Sequence, residues 1–197
     1  MTTDFLNSLK ENISLEKLES DAKNIISSSD RSDLISYPEF VDFFKKNNTI
    51  TKHELVIGIN FTYGWMPTMF DFRSTEFDKV LSILNDAKAG KIPTEYDLKI
   101  LKSCFNNSLV GTSKLLHFIN PNEFAIWDSR VYRYLTNEKP YSYRLDDFTT
   151  FLGFRDFCKH ITEQHGYEEI HQLVEKRINY AMSKMRTVEL IMFTNGK

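Results

Sequence analysis

The sequence predicts an all-α fold, a compact bundle of about nine or ten helices. Apolar residues recur at three- and four-residue spacing in nearly every segment, which is the periodicity of amphipathic helices. Capping signatures precede several of these segments. No repeat, low-complexity segment or long linker interrupts them. A chain of 197 residues then forms a single helical domain or two closely packed lobes, about 1–92 and 93–197.

In the first half of the chain, the predicted helices cover residues 4–11, 15–27, 38–46, 55–63 and 75–89. The serine-rich residues 27–30 separate the second helix from the third, and Pro38 fits the first turn of the third. Thr51 and Glu54 form a capping box before the fourth helix. Ser74 can cap the fifth helix, and Gly90 stops it.

In the second half, the predicted helices cover residues 94–105, 113–119, 129–135, 146–163 and 167–184. Thr94 and Asp97 give another capping signature. Residues 188–193 fit either a strand or a continued helix. The helices 94–105 and 113–119, joined by a tight turn at 107–112, form a helix–hairpin–helix motif.

Such a motif provides a phosphate site, because the amides at a helix start lack helical partners and carry partial positive charge. Gly111 in the turn would let a phosphate approach, and Gly111, Thr112 and Ser113 would donate to it. A structural corner between two helices accounts for the pattern about as well.

An apolar run, Phe124-Ala125-Ile126-Trp127, follows and ends in Asp128, and a basic, aromatic helix starts there. Arg130 and Arg133 lie three residues apart on one face of that helix, so both could contact a phosphate backbone. The alternative is an ordinary solvated face.

The segment FAIWDSRVYRYL, with LVGTSK before it, resembles the aspartate-bearing region of the helix–hairpin–helix DNA glycosylases. The likeness is closest to adenine-mismatch glycosylases and their thymine-glycol and 8-oxoguanine relatives, and it covers about 30 of 197 residues. Leu109 and Ser108 stand where the family has glycine and proline. Ser113 stands where lyases have lysine, so Lys114 falls one position late.

The resemblance implies base excision from duplex DNA, with the target base flipped into a pocket. Asp128 would stabilise positive charge on the sugar, and Lys114 would attack C1′ to form a Schiff base. If Lys114 points to solvent, water is the nucleophile instead. The structural alternatives are an N-cap role for Asp128 and a solvated or phosphate-contacting Lys114.

Three further side chains are candidates for a base pocket: Trp65, Trp127 and His117, the last lying three residues after Lys114. Core packing is the alternative for each of them. No histidine or cysteine spacing fits a metal site, and the resemblance implies no cofactor.

Composition limits the class of protein. No apolar run approaches 18 residues, and the first residues, MTTDFLNSLKENIS, lack the apolar core of a secretory signal. Two cysteines are too few for a disulfide scaffold and fit free thiols in a reducing compartment, so we expect a cytoplasmic protein. We expect no membrane partner, and we assume a monomer because the sequence does not define the oligomeric state. Two other functions stay open: a non-catalytic nucleic-acid-binding relative in repair or phage–host defence, and a helical protein-interaction module.

Overall fold

The computed structural model describes residues 9, 13–26, 31–66, 68–73 and 76–197. Its regular structure is helical throughout, which confirms the predicted all-α class, and the described residues form eleven helices. We number them α1 Leu15–Ala22, α2 Ser32–Lys46, α3 Lys52–Trp65, α4 Phe77–Lys88, α5 Glu95–Cys104, α6 Leu109–Ile119, α7 Ser129–Thr136, α8 Ser142–Leu145, α9 Phe148–Thr162, α10 Tyr167–Ile178 and α11 Lys184–Asn195.

The chain divides into two compact units. The central unit is Asp30–Phe124, and the terminal unit combines Met1–Ser29 with Ala125–Lys197. These units meet between residues 29 and 30 and between residues 124 and 125. The two lobes expected from the sequence, with a boundary near residue 92, stay a prediction.

The central unit is built around α6. This helix contacts α2, α3, α4 and α5, and ten of its eleven residues are buried. Its sequence LVGTSKLLHFI has apolar side chains on all sides, as expected for a helix enclosed by others.

The terminal unit is built around α11, which contacts α1, α7, α9 and α10. The ambiguous segment 188–193 lies within this helix. Eight consecutive residues of the helix, 185–192, are buried. The helix carries two buried charges, Arg186 and Glu189, and these pair with each other across one turn. Pairing is what allows both charges to be removed from water.

The predicted caps are confirmed where they are described. Thr51 with Glu54 and Thr94 with Asp97 form complete capping boxes at the starts of α3 and α5. Gly90 follows α4 with a φ of 94°, in the left-handed region that glycine adopts without strain.

Three predicted boundaries are wrong. Pro38 lies inside α2 rather than in its first turn, because the helix begins six residues before the proline. α1 ends at Ala22. The expected helix 167–184 ends at Ile178, because Asn179 adopts a left-handed conformation, and Ser183 then caps a new helix. The predicted helix 4–11, apart from Leu9, the break at 27–30 and the Ser74 cap lie outside the described residues.

Candidate functional site

The turn between α5 and α6 is formed by asparagines. Asn106 and Asn107 have φ values of 51° and 54°, a conformation that asparagine tolerates better than most residues. Ser108 then caps α6, which begins at Leu109. Gly111 is therefore in the first turn of a helix, and its predicted place in the hairpin turn is wrong.

The backbone amides expected to hold a phosphate are already bonded within the protein. The amide of Gly111 donates to Oγ of Ser108 at 3.1 Å, and that of Thr112 donates to the Ser108 carbonyl at 3.1 Å. Ser113 lies one residue further into α6, and its hydroxyl donates to the Val110 carbonyl at 2.8 Å. All three residues are buried. The amides of Gly111 and Thr112 therefore bond to Ser108 in this structure, and the DNA contacts of all three residues stay predictions.

Gly111 has a packing role. A Cβ at this position would stand 2.7 Å from Cζ of Tyr63 and closer still to its hydroxyl oxygen. The Tyr63 hydroxyl is fixed there, since it donates to the Phe105 carbonyl at 2.8 Å. Burial raises the pKa of Tyr63 to about 12. Glycine is needed because the α3 side chain occupies the space of a Cβ.

Lys114 lies near the middle of α6 and is almost withdrawn from water. Its side chain is 8% exposed, and its Nζ lies 5.5 Å from the centroid of the Trp65 ring. Lysine is rarely buried to this extent without a structural or functional reason. Of the two alternatives, a Lys114 directed to solvent is not what the structure shows, whereas its catalytic role stays a prediction.

His117 is a structural residue of the same helix. Its Nδ1 lies 2.6 Å from the Phe124 carbonyl and its Nε2 lies 2.9 Å from the Tyr37 hydroxyl. A carbonyl only accepts, so Nδ1 carries the proton, and in the neutral ring Nε2 accepts from Tyr37. The ring is 0% exposed. Both ring nitrogens are engaged within the protein, and the base-pocket role of His117 stays a prediction.

The two tryptophans differ in accessibility. Trp65, in the central unit, is half-buried at the end of α3, where its edge meets Phe118 and its indole N–H donates to the Asp33 carbonyl at 3.3 Å. Trp127, in the terminal unit, is 0% exposed, and its indole N–H donates to the Leu145 carbonyl at 2.9 Å. Trp65 stays a candidate for stacking on a base. The core encloses Trp127, whose base-pocket role stays a prediction.

Asp128 caps α7, as the structural alternative proposed. Its Oδ1 accepts from the Arg130 amide at 3.0 Å, and the residue is half-buried. Lys114 belongs to the central unit and Asp128 to the terminal unit. Their joint action in catalysis stays a prediction.

The two arginines of α7 have different surroundings. Arg130 is exposed, and its guanidinium lies 4.8 Å from the centroid of the Phe193 ring. Arg133 is half-buried, and its Nε donates to the Gly196 carbonyl at 3.3 Å. The predicted phosphate contacts of both arginines stay predictions.

The terminal unit contains an open cleft of about 680 Å³, which was not predicted from the sequence. It is lined by four cations and two carboxylates together with polar groups, namely Lys17, Asp21, Arg133, Tyr134, Asn137, Glu138, Lys139, Pro140, Asn195, Gly196 and Lys197. These residues come from three separate stretches of chain, so no local motif marks them. Only Arg133 belonged to the predicted site.

Both carboxylates of the cleft have partners. Asp21 pairs with Lys17 at 2.7 Å and accepts from the Tyr134 hydroxyl at 2.7 Å, while Glu138 pairs with Arg144. The cleft therefore keeps an excess of positive side chains, which suits an anionic ligand.

Comparison of the chain with family models, with curated proteins and with solved structures gives no match in any of the three. Within the described residues, no helix is long and apolar enough to cross a membrane. The same residues contain no group of three or more His, Cys, Asp or Glu side chains placed to hold a metal ion.

Proposed function

We propose that the protein is a DNA glycosylase that forms a Schiff base with the substrate sugar through Lys114. The observation that carries this proposal is the near-complete burial of Lys114 beside the half-buried ring of Trp65. A lysine held away from water next to an aromatic surface suits attack on a sugar carbon whose base has been moved out of the duplex.

The chemistry requires an uncharged amine. The Nζ lone pair forms a bond to C1′ while the C1′–N bond breaks, and the departing base takes the bonding electrons and a proton. The attached nitrogen then loses a proton. Its lone pair forms a C1′=N bond as the C1′–O4′ bond breaks, and O4′ takes up a proton.

The resulting iminium permits strand cleavage. Loss of a proton from C2′ breaks the bond between C3′ and the 3′ phosphate oxygen, so one protein would have both glycosylase and lyase activity. Asp128 stays a separate, predicted catalytic residue.

Borohydride trapping tests the proposal. The protein is incubated with labelled duplexes containing an abasic site, 8-oxoguanine, adenine opposite 8-oxoguanine, or uracil. Borohydride delivers a hydride to the iminium carbon and converts the intermediate into a stable secondary amine. We expect a protein–DNA adduct on at least one duplex and its loss in Lys114→Met.

The variants are chosen to separate chemistry from folding. Methionine keeps most of the apolar stem of Lys114 and removes the amine, so the variant should unfold at nearly the wild-type temperature. Lys99→Ala removes an exposed lysine from α5 and should trap like the wild type. Absence of an adduct on every duplex, or full trapping by a folded Lys114→Met protein, contradicts the proposal.

A second candidate function is nucleic-acid binding without catalysis. The basic cleft of the terminal unit favours it, since its excess of cations suits a phosphate backbone whether or not Lys114 reacts. Salt-dependent DNA binding by a protein that never traps would support this function over the first.

A further inference from the structure

Two exposed tyrosines lie next to each other in the terminal unit, beside the cleft. Tyr141 is 46% exposed and Tyr143 is 67% exposed. Their rings are nearly parallel, with 13° between the planes and 5.7 Å between the centroids. Contiguous aromatic surface left in water is a feature of binding sites.

Each ring has a cation nearby. Nζ of Lys139 lies 5.1 Å from the centroid of Tyr141, and the guanidinium of Arg144 lies 5.8 Å from that of Tyr143. Arg144 also donates from Nε to the Tyr143 hydroxyl at 3.2 Å. The tyrosine pair therefore has one cation on each side, of which Arg144 also pairs with Glu138.

The segment has a fixed backbone. Pro140 restricts the chain before Tyr141, and the Tyr141 amide donates to the Lys139 carbonyl at 2.9 Å. The amides of Arg144 and Leu145 both donate to the Tyr141 carbonyl, at 3.0 and 3.2 Å. A surface that is already ordered loses little entropy when it binds.

The segment continues directly into the basic cleft, because Lys139 and Pro140 are among the residues that line it. We propose that Tyr141 and Tyr143 form a stacking platform for unpaired bases of single-stranded DNA, with the sugar–phosphate backbone following the cations of the cleft. The choice of DNA as partner rests on the proposed function, and the single-stranded form is the new element.

Single-stranded DNA fits this surface better than a duplex does. Unpaired bases expose their faces, and proteins that bind single strands combine aromatic platforms with a positively charged groove. In a duplex the base faces are covered by neighbouring base pairs, so the tyrosines would have nothing to stack on. The excess of positive side chains in the cleft also favours a nucleic acid over a neutral apolar peptide as the ligand.

Fluorescence anisotropy of the purified full chain measures the binding directly. The probes are a fluorescein-labelled strand of about 16 thymidines, the upper range of known site sizes, its ribose equivalent, and an undamaged duplex. We expect the DNA single strand to bind most tightly, and the double variant Tyr141→Ala/Tyr143→Ala to weaken it at least about tenfold. Affinity should fall as salt rises.

Three variants control the test. Phenylalanine at both positions keeps the ring faces and should preserve most of the affinity. Tyr96→Ala removes a tyrosine of the central unit with a similar exposure, 66%, and should have no effect. Lys99→Ala removes an exposed lysine of the central unit and should bind as the wild type does.

The outcomes separate this proposal from the proposed function. Tyrosine-dependent binding without any borohydride adduct supports the platform and contradicts the glycosylase. A borohydride adduct without single-strand binding supports the glycosylase and contradicts the platform. The platform would be overturned if the tyrosine double variant bound the single strand as tightly as the wild type does. It would also be overturned if the protein preferred the duplex or RNA. Absence of DNA binding would overturn it as well and would favour a protein partner for the two tyrosines.

Discussion

The backbone of Gly111 in α6 packs directly against the Tyr63 side chain of α3. The Tyr63 hydroxyl occupies the place of a Cβ at residue 111 and is held there by its bond to the Phe105 carbonyl. The contact gives the glycine at this position a packing reason that is independent of its predicted DNA contact. It also makes Gly111 a residue on which stability depends.

Gly111→Ala is therefore expected to destabilise the protein by about 1–3 kcal/mol, the usual cost of overfilling a packed core. Urea unfolding measures the change. Gly64→Ala is the matched control, because Gly64 is likewise a helical glycine, in α3, but a Cβ there would have no neighbour within 4 Å. There alanine should be neutral or stabilise by up to about 1 kcal/mol. Equal effects of the two substitutions would show that the Tyr63 contact is not a constraint.

His117 should contribute to stability through its two buried hydrogen bonds. His117→Phe leaves the Tyr37 hydroxyl and the Phe124 carbonyl without this partner, at about 1–3 kcal/mol for each buried group. Tyr37→Phe should cost less, because only one of the two bonds is lost. A double-mutant cycle measured by denaturant unfolding should give a coupling energy above about 0.5 kcal/mol. Simple additivity would mean that the bond between the two side chains contributes nothing.

Substitutions of Asp128 separate its capping role from a catalytic one. Asparagine caps helices about as well as aspartate, so Asp128→Asn should keep the wild-type melting temperature, whereas Asp128→Ala should lose about 1 kcal/mol. If the carboxylate also acts in base excision, Asp128→Asn loses glycosylase activity while remaining stable. Wild-type cleavage rates in Asp128→Asn would restrict the residue to its cap.

Alkaline pH should destabilise the protein through Tyr63. Its pKa is about 12 in the folded protein because burial disfavours the phenolate, against about 10 in the unfolded chain. Above pH 10 the tyrosine of the unfolded chain loses its proton while that of the folded chain retains it, which favours unfolding. The free energy of unfolding is therefore unaffected below pH 10 and falls as the pH rises toward 12. The wild type should lose more free energy of unfolding over this interval than Tyr63→Phe does. Tyr96→Phe, at an exposed position, should follow the wild type.

Much of the fold could be predicted from the sequence, because the signals are local. The capping boxes at Thr51 and Thr94 and the glycine stop at Gly90 each involve residues within one turn. The start of α6 was misplaced because two asparagines form its preceding turn, where glycine was the expected residue. That single shift moved Gly111 from a turn into a packed helix.

Less of the candidate site could be predicted. The cap by Asp128 follows from the residues next to it, whereas the burial of Lys114 depends on the helices packed around α6. The accessibility of Trp65, compared with the burial of Trp127 and His117, depends on tertiary packing that periodicity does not report. The basic cleft combines α1, α7 and the end of α11, so its residues are distant along the chain.

The most direct test of the proposed function is to identify the residue that carries the sugar after borohydride trapping. The adduct is digested with protease and nuclease, and mass spectrometry locates the modified amine. We predict a reduced deoxyribose fragment on Nζ of Lys114, with Lys102 and Lys99 unmodified. A fragment on another lysine or on the N-terminal amine, or no modified peptide on any of the damaged duplexes, would contradict the assignment of Lys114 as the nucleophile.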